Sequence, residues 1–170
     1  MPNPSRPRIV PLDLASDPGA AAAVHGIGRA AYAVEAALIG FDGIPALHED
    51  LGEMLARPLH WLGAVPEEGG IAGFLAWEEA EDGGVAIDRL CVAPAWFRRG
   101  VASGLLRHAL AEAFPGRHVE VTTGAANTPA VTLYTRFGFV RGADFSPAPG
   151  LRMASFTTGP AAGTGPRPGP

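Results

Sequence analysis

The sequence predicts an α+β fold, sandwich-like, in which one mixed, mostly antiparallel twisted sheet of about seven strands is flanked by helices in the order β-α-α-β-β-β-α-β-α-β-β. Three observations lead there. Short apolar runs follow one another between residues 61 and 92, separated by Glu67-Glu68-Gly69-Gly70 and Glu81-Asp82-Gly83-Gly84, which is the pattern of an antiparallel meander. Beyond Pro94 the apolar period lengthens to that of a helix, with Val101, Leu105, Ala109 and Ala113 on one face. Finally, 170 residues that are 47% hydrophobic and 18% charged suit one core and leave little room for two.

The elements follow in order. Val10, Leu12 and Leu14 alternate along an extended first segment from Arg8 to Leu14. Ser16-Asp17-Pro18 places a capping side chain just ahead of a proline, so a helix starts there, and it runs to Leu38 or Ile39 before stopping at Gly40. Pro45 to Ala56 reads as a second helix, closed before Pro58. Strands are expected over Trp61–Val65, Ile71–Trp77 and Val85–Val92. The helix after Pro94 ends at Phe114-Pro115-Gly116, and His118 to Thr123 is the next strand. Thr128-Pro129 opens a short helix with Ala130, Leu133, Tyr134 and Phe137 on one stripe, and Gly138 stops it. Phe139–Ala143 and Leu151–Phe156 are the last two strands expected. One folded domain is therefore expected over 8–156, with flexible ends at 1–7 and 157–170, where proline, glycine and small residues leave little to bury.

Composition excludes several chemistries. All 13 basic residues are arginine, so Schiff-base lysine chemistry and the lysine-dependent phosphate loop are absent. Cys91 is the only cysteine, which rules out intrachain disulfides and thiolate zinc clusters. His25, His48, His60, His108 and His118 have no metal-binding spacing, and no metal is expected. A net charge of -4 argues against a nucleic-acid face, and no apolar run is long enough for a membrane span. A cytoplasmic location is the default expectation, consistent with a single unpaired thiol.

The most informative stretch runs from Val85 to Leu106. A buried strand leads through a turn into Arg98-Arg99-Gly100-Val101-Ala102-Ser103, which opens a helix with small residues at 100 and 102. The first amides of a helix have no partners in a preceding turn, and with the helix dipole they attract an anion. Two arginines beside them match that charge, although a solvated arginine pair ahead of an ordinary helix reads equally well from these residues alone. Glu49, Asp50 and Glu53 read as the wet side of a helix or as an acidic rim. Cys91 reads as a small core residue, and Trp61, Trp77 and Trp96 as packing.

Phe97-Arg98-Arg99-Gly100-Val101-Ala102 resembles motif A of the GNAT superfamily of N-acetyltransferases, Q/R-x-x-G-x-G/A, with Phe97 in place of the usual first residue. Asn127, Ala130, Leu133, Tyr134, Gly138 and Phe139 are similar, in register, to the family's motif B, N-x-x-A-x-x-L-Y-x-x-x-G-F. The motifs come in the family's order, and the element order over 8–156 matches its fold.

The resemblance implies acetyl coenzyme A as donor and an amine acceptor, a primary amine on a small molecule or a peptide. Transfer would be direct, and neither nucleic acid nor membrane would take part. Dimers are common in the family, so a homodimer is an option. It places the cofactor between strands ending at Val92 and Thr123. Main-chain bonds would come from Leu90, Cys91 and Val92, the pyrophosphate would lie over Arg98, Arg99, Gly100, Val101, Ala102 and Ser103, and Asn127 would reach the pantetheine arm. Tyr134 would protonate the leaving thiolate, as a phenol protonated at neutral pH can. For the base, Glu35 comes first, Asp88 second and Glu120 third. Three alternatives stay open: a non-catalytic acyl-coenzyme-A binder of the same fold, a transferase of a longer acyl chain, and an unrelated nucleotide-binding module.

Overall fold

In the computed structural model, which describes residues 5–160, the chain begins on strand β1 (Arg8–Leu12) and crosses to the long helix α1 (Pro18–Ile39). Asp17 caps α1 by accepting from Ala20 N at 3.0 Å, and Gly40, at φ 67°, ends it in the left-handed conformation. The single helix expected over 45–56 is two short ones, α2 (Pro45–His48) and α3 (Leu51–Leu55). Glu49 between them is extended, and Asp50 restarts the helix through a reciprocal capping box with Glu53. The D-x-x-E spacing that makes this box is in the sequence, and a local cap won over helix continuation there.

The meander follows as β2 (His60–Val65), β3 (Gly73–Glu79) and β4 (Val85–Val92). A one-turn 3₁₀ segment, Pro94–Trp96, leads to α4 (Val101–His108), whose last turn widens into a π-turn over Ala109–Ala113. Strand β5 (Val119–Gly124) and helix α5 (Thr128–Arg136) come next, and Gly138, at φ 84°, stops α5 as expected. The chain closes with β6 (Val140–Arg141), β7 (Phe145–Ala148) and β8 (Leu151–Thr158). Three strands stand where two were expected, which makes eight in the sheet. The last one runs past Phe156, with Thr157 and Thr158 opposite Glu120 and Val119. Of the expected flexible ends, residues 1–4 and 161–170 lie outside the described residues.

The strand order is β1-β2-β3-β4-β5-β8-β6, with β7 also on β8, and every pairing except β4 with β5 is antiparallel. Each face carries its own core. On one, α4 and α5 cover Leu62, Leu75, Ile87, Val121 and Phe156; on the other, α1 and α3 cover Trp61, Phe74, Ala76 and Cys91. A register shift between Ala76 and Trp77 leaves Asp88 as an extra residue on β4. The bulge exchanges the faces of the strand: Val85 and Ile87 pack on the α4 side, whereas Arg89 and Cys91 pack on the α1 side.

Candidate functional site

The parallel pair β4 and β5 is joined over only three residue pairs, Val85 with Val119, Ala86 with Glu120 and Ile87 with Val121. Beyond the bulge each strand keeps its outer partner, β3 and β8 respectively, but loses the other. The sheet therefore opens into a wedge, and a cleft of about 1120 Å³ passes through it from the α4 side to the α1 side. Such a gap in a sheet exposes main-chain groups that pairing would otherwise consume.

Which groups face the gap is set by alternation. Ala93 N donates to Ala72 O at 2.8 Å, and a Cβ on Gly73 would lie 2.8 Å from Cys91 O, so Cys91 and Ala93 turn their main-chain groups to β3. Leu90 and Val92 point theirs the other way, into the gap. Cys91 thus departs from its expected role in main-chain bonding. It lines the cleft with a buried thiol, which burial, above all, pushes up to about 12. The same close approach explains why Gly73 carries no side chain: a Cβ would also come within 2.9 Å of Val101 Cγ1.

The α4 end of the cleft is an amide cradle. Gly100, the N-cap at φ 76°, supplies no side-chain cap, and the first intrahelical bond is Gly104 N to Gly100 O at 2.9 Å. The amides of Val101, Ala102 and Ser103 precede that bond and are left for a ligand. Arg98 is the one non-glycine residue with positive φ among the described residues, at 61°. Two left-handed residues so close together curl the backbone into a concave nest that suits an anion. Arg98, Gly100, Val101, Ala102 and Ser103 all line the cleft. Arg99 does not; its guanidinium lies 4.9 Å above the Trp96 ring, and the cation expected here is parked on an indole. These residues fit the diphosphate of a coenzyme A.

Tyr134 reaches the cleft from α5 on the same side. It is 4% exposed, with its ring against Phe139 and Phe156 at centroid distances of 5.4 and 5.5 Å. Burial, above all, raises its phenol well above the ordinary tyrosine range, and the carboxylate of Glu35 adds to the effect. Helix α5 is anchored by Asn127, whose Oδ1 accepts from Ala130 N at 3.3 Å while its Nδ2 donates to Thr123 Oγ1 at 3.4 Å. Asn127 lines the cleft, with its acceptor oxygen already used as a cap.

On the α1 side, Glu35 Oε1 accepts from Thr123 Oγ1 and from Gly124 N, each at 3.3 Å. Gly124 makes this approach feasible, since a Cβ there would lie 2.5 Å from Ile39 Cγ2 and hold α1 off the strand end. Asp88 also lines the cleft, but its carboxylate is bridged by Arg57 at 2.7 Å and Arg89 at 2.6 Å. Glu120 stands outside the cleft; it is exposed and faces His118 at 3.4 Å. Of the three expected on the wet side of a helix, Asp50 and Glu53 are exposed and bond each other's main chain in the capping box, whereas Glu49 receives Arg89 Nη1 at 2.8 Å.

The buried Arg89 was not legible as a site residue. Burial works against its charge, yet the hydrogen bonds it donates to Glu49 and Asp88 outweigh that and hold it protonated. The signal was faint: an Asp-Arg pair inside an otherwise apolar strand. Among the described residues no group of three or more His, Cys, Asp or Glu side chains is arranged to hold a metal ion, and no helix is long and apolar enough to cross a membrane.

The sequence model of the family described as acetyltransferase (GNAT) matches residues 37–139. The chain belongs to the GNAT acetyltransferase family. Acetyl transfer is the activity by which that family is described. It is 36% identical over 126 residues to the UPF0157 protein YqkA of Bacillus subtilis (strain 168), a match covering 74% of this chain and 36% of that protein. The chain thus spans about a third of the length of that relative.

Solved structures share the GNAT fold. One from Acinetobacter baylyi ADP1 superposes with a TM-score of 0.73 at 16% identity over 98% of both chains. A histone acetyltransferase HPA2 and related acetyltransferase from Corynebacterium glutamicum gives 0.71 at 18% identity, covering 94% of this chain and 99% of that one. The ribosomal-protein-S18-alanine N-acetyltransferase of Escherichia coli gives 0.68 at 16% identity, covering 92% and 97%.

Proposed function

We propose that the protein transfers an acetyl group from acetyl coenzyme A directly to a primary amine of a small molecule or peptide. The observation that carries this reading is the passage through the sheet: a buried phenol approaches it from one face and a carboxylate held only by neutral donors from the other. Donor and acceptor can then meet at the gap between β4 and β5 without sharing a side of the sheet.

The roles follow from position. The amides of residues 101–103, with Arg98, hold the diphosphate, and the free main-chain groups of Leu90 and Val92 align the arm that follows. One of those amides also faces the thioester carbonyl, where it stabilises the oxyanion that forms as nitrogen attacks. Glu35 accepts the proton the ammonium must lose, and the Thr123 hydroxyl and Gly124 amide keep its carboxylate oriented. Asp88, bridged by two arginines, is assigned to structure instead. Tyr134 donates its proton to the departing sulfur. Its raised pKa keeps the phenol protonated at any working pH, so the acid is always loaded.

The test is Tyr134→Phe, which keeps the ring packing and removes only the hydroxyl. The kcat for amine acetylation is expected to fall at least about 100-fold, with the KM for acetyl coenzyme A little changed. An unaltered kcat would take Tyr134 out of the chemistry.

A further inference from the structure

The two ends of the cleft differ in character. The α4 end is main-chain amide and arginine. The α1 end is walled by Leu38 and Ile39 of α1, Ile44 ahead of α2, and Leu151 and Met153 of β8. Val34 and Leu38 remain 39% and 48% exposed, an apolar lining that faces water until a ligand covers it.

Charge on this side can be followed group by group. Four carboxylates line the cleft. Asp88 is taken by Arg57 and Arg89, Glu49 by Arg89, and Glu53 by the Asp50 amide. Glu35 and Glu53 have only neutral donors; Glu53 is exposed, whereas Glu35, held by Thr123 Oγ1 and Gly124 N, is part-buried. The acceptor end therefore offers one negative charge at depth within an aliphatic wall.

Resting on the transferase reading above, we infer that the acceptor is a primary amine carried on an apolar alkyl or aryl body. Its nitrogen is held at Glu35 and its body lies on Leu38, Ile39, Leu151 and Met153. A polycation would find only Glu35 and, at the exposed rim, Glu53 without a cationic partner, and an amino sugar would set hydroxyls against Leu38, Ile39, Leu151 and Met153, which offer them no side-chain partner.

The test uses the full chain with acetyl coenzyme A and follows thiol release. Hexylamine and 2-phenylethylamine are compared with spermidine and glucosamine. The apolar amines are expected to show a kcat/KM at least about tenfold higher, and Leu38→Asn should lower the hexylamine value by about tenfold. Acetyl coenzyme A affinity and the thermal midpoint of Leu38→Asn should stay at wild-type values, separating lost acceptor contact from lost structure. Spermidine or glucosamine used as well as hexylamine overturns the acceptor class and leaves the transferase reading standing. Acetyl coenzyme A bound with none of the four amines acetylated also overturns the class. Failure to bind acetyl coenzyme A at all removes the transferase reading and this inference together.

Discussion

Arg98 holds a conformation that side chains avoid. A left-handed backbone costs a non-glycine residue about 1–2 kcal/mol, and here it brings a guanidinium to the mouth of the amide cradle. Arg98→Gly relieves the strain and deletes the charge. Thermal stability should hold or rise, while acetyl coenzyme A binds about tenfold more weakly in a calorimetric titration, as losing one charged hydrogen bond predicts. Unchanged affinity would place the diphosphate elsewhere.

Cys91 makes a second residue-scale prediction. Burial raises its thiol from 9.0 to about 12. The folded protein therefore keeps a proton that the unfolded chain gives up. Its contribution to stability is complete below pH 9, shrinks as pH rises through that value, and is gone near 12. Tyr32 and Tyr134, both raised by burial from 10.0, extend the same slope upward from there. Urea midpoints should fall from about pH 9, and Cys91→Ala should delay the onset toward pH 10. An identical onset in the variant would contradict the assignment.

At the scale of elements, the acceptor side depends on how the short helices α2 and α3 are fastened to β4. Arg89, 6% exposed, sits over the Trp61 ring and bonds both Asp88 and Glu49, while His25 Nε2 lies 2.8 Å from Glu49 O. Arg89→Met would leave the part-buried Glu49 without its cation and Asp88 with Arg57 alone, and is expected to cost about 3 kcal/mol of unfolding free energy. Arg57→Ala removes a more exposed guanidinium and should cost at most about 1 kcal/mol. Denaturant titrations compare the two, and equal losses would mean the network is not centred on Arg89.

This is also the level at which the sequence was least informative. Periodicity and turn residues located α1, the meander, α4 and α5 because each is decided within its own stretch of chain. The division of the second helix rests on a single cap, and the extra strand β7 on pairing with β8 across a turn at Gly150, neither of which periodicity registers. Asn127 and Tyr134 were readable as part of a spaced motif. Arg89, Thr123 and the aliphatic wall were not, because their roles arise only when α1, β5 and β8 come together.

For the whole molecule, the decisive feature is the short parallel pair. Three residue pairs hold β4 to β5, a bulge at Asp88 swaps the faces of β4, and the gap beyond joins two separate cores. Every catalytic role proposed here depends on a donor lying in that gap with its diphosphate on α4 and its sulfur at α5. The most direct measurement is a crystal structure with coenzyme A bound. The diphosphate is expected over the amides of residues 101–103 and the sulfur within about 3.5 Å of the Tyr134 hydroxyl. A diphosphate seated away from Gly100, or a sulfur far from that hydroxyl, would contradict it.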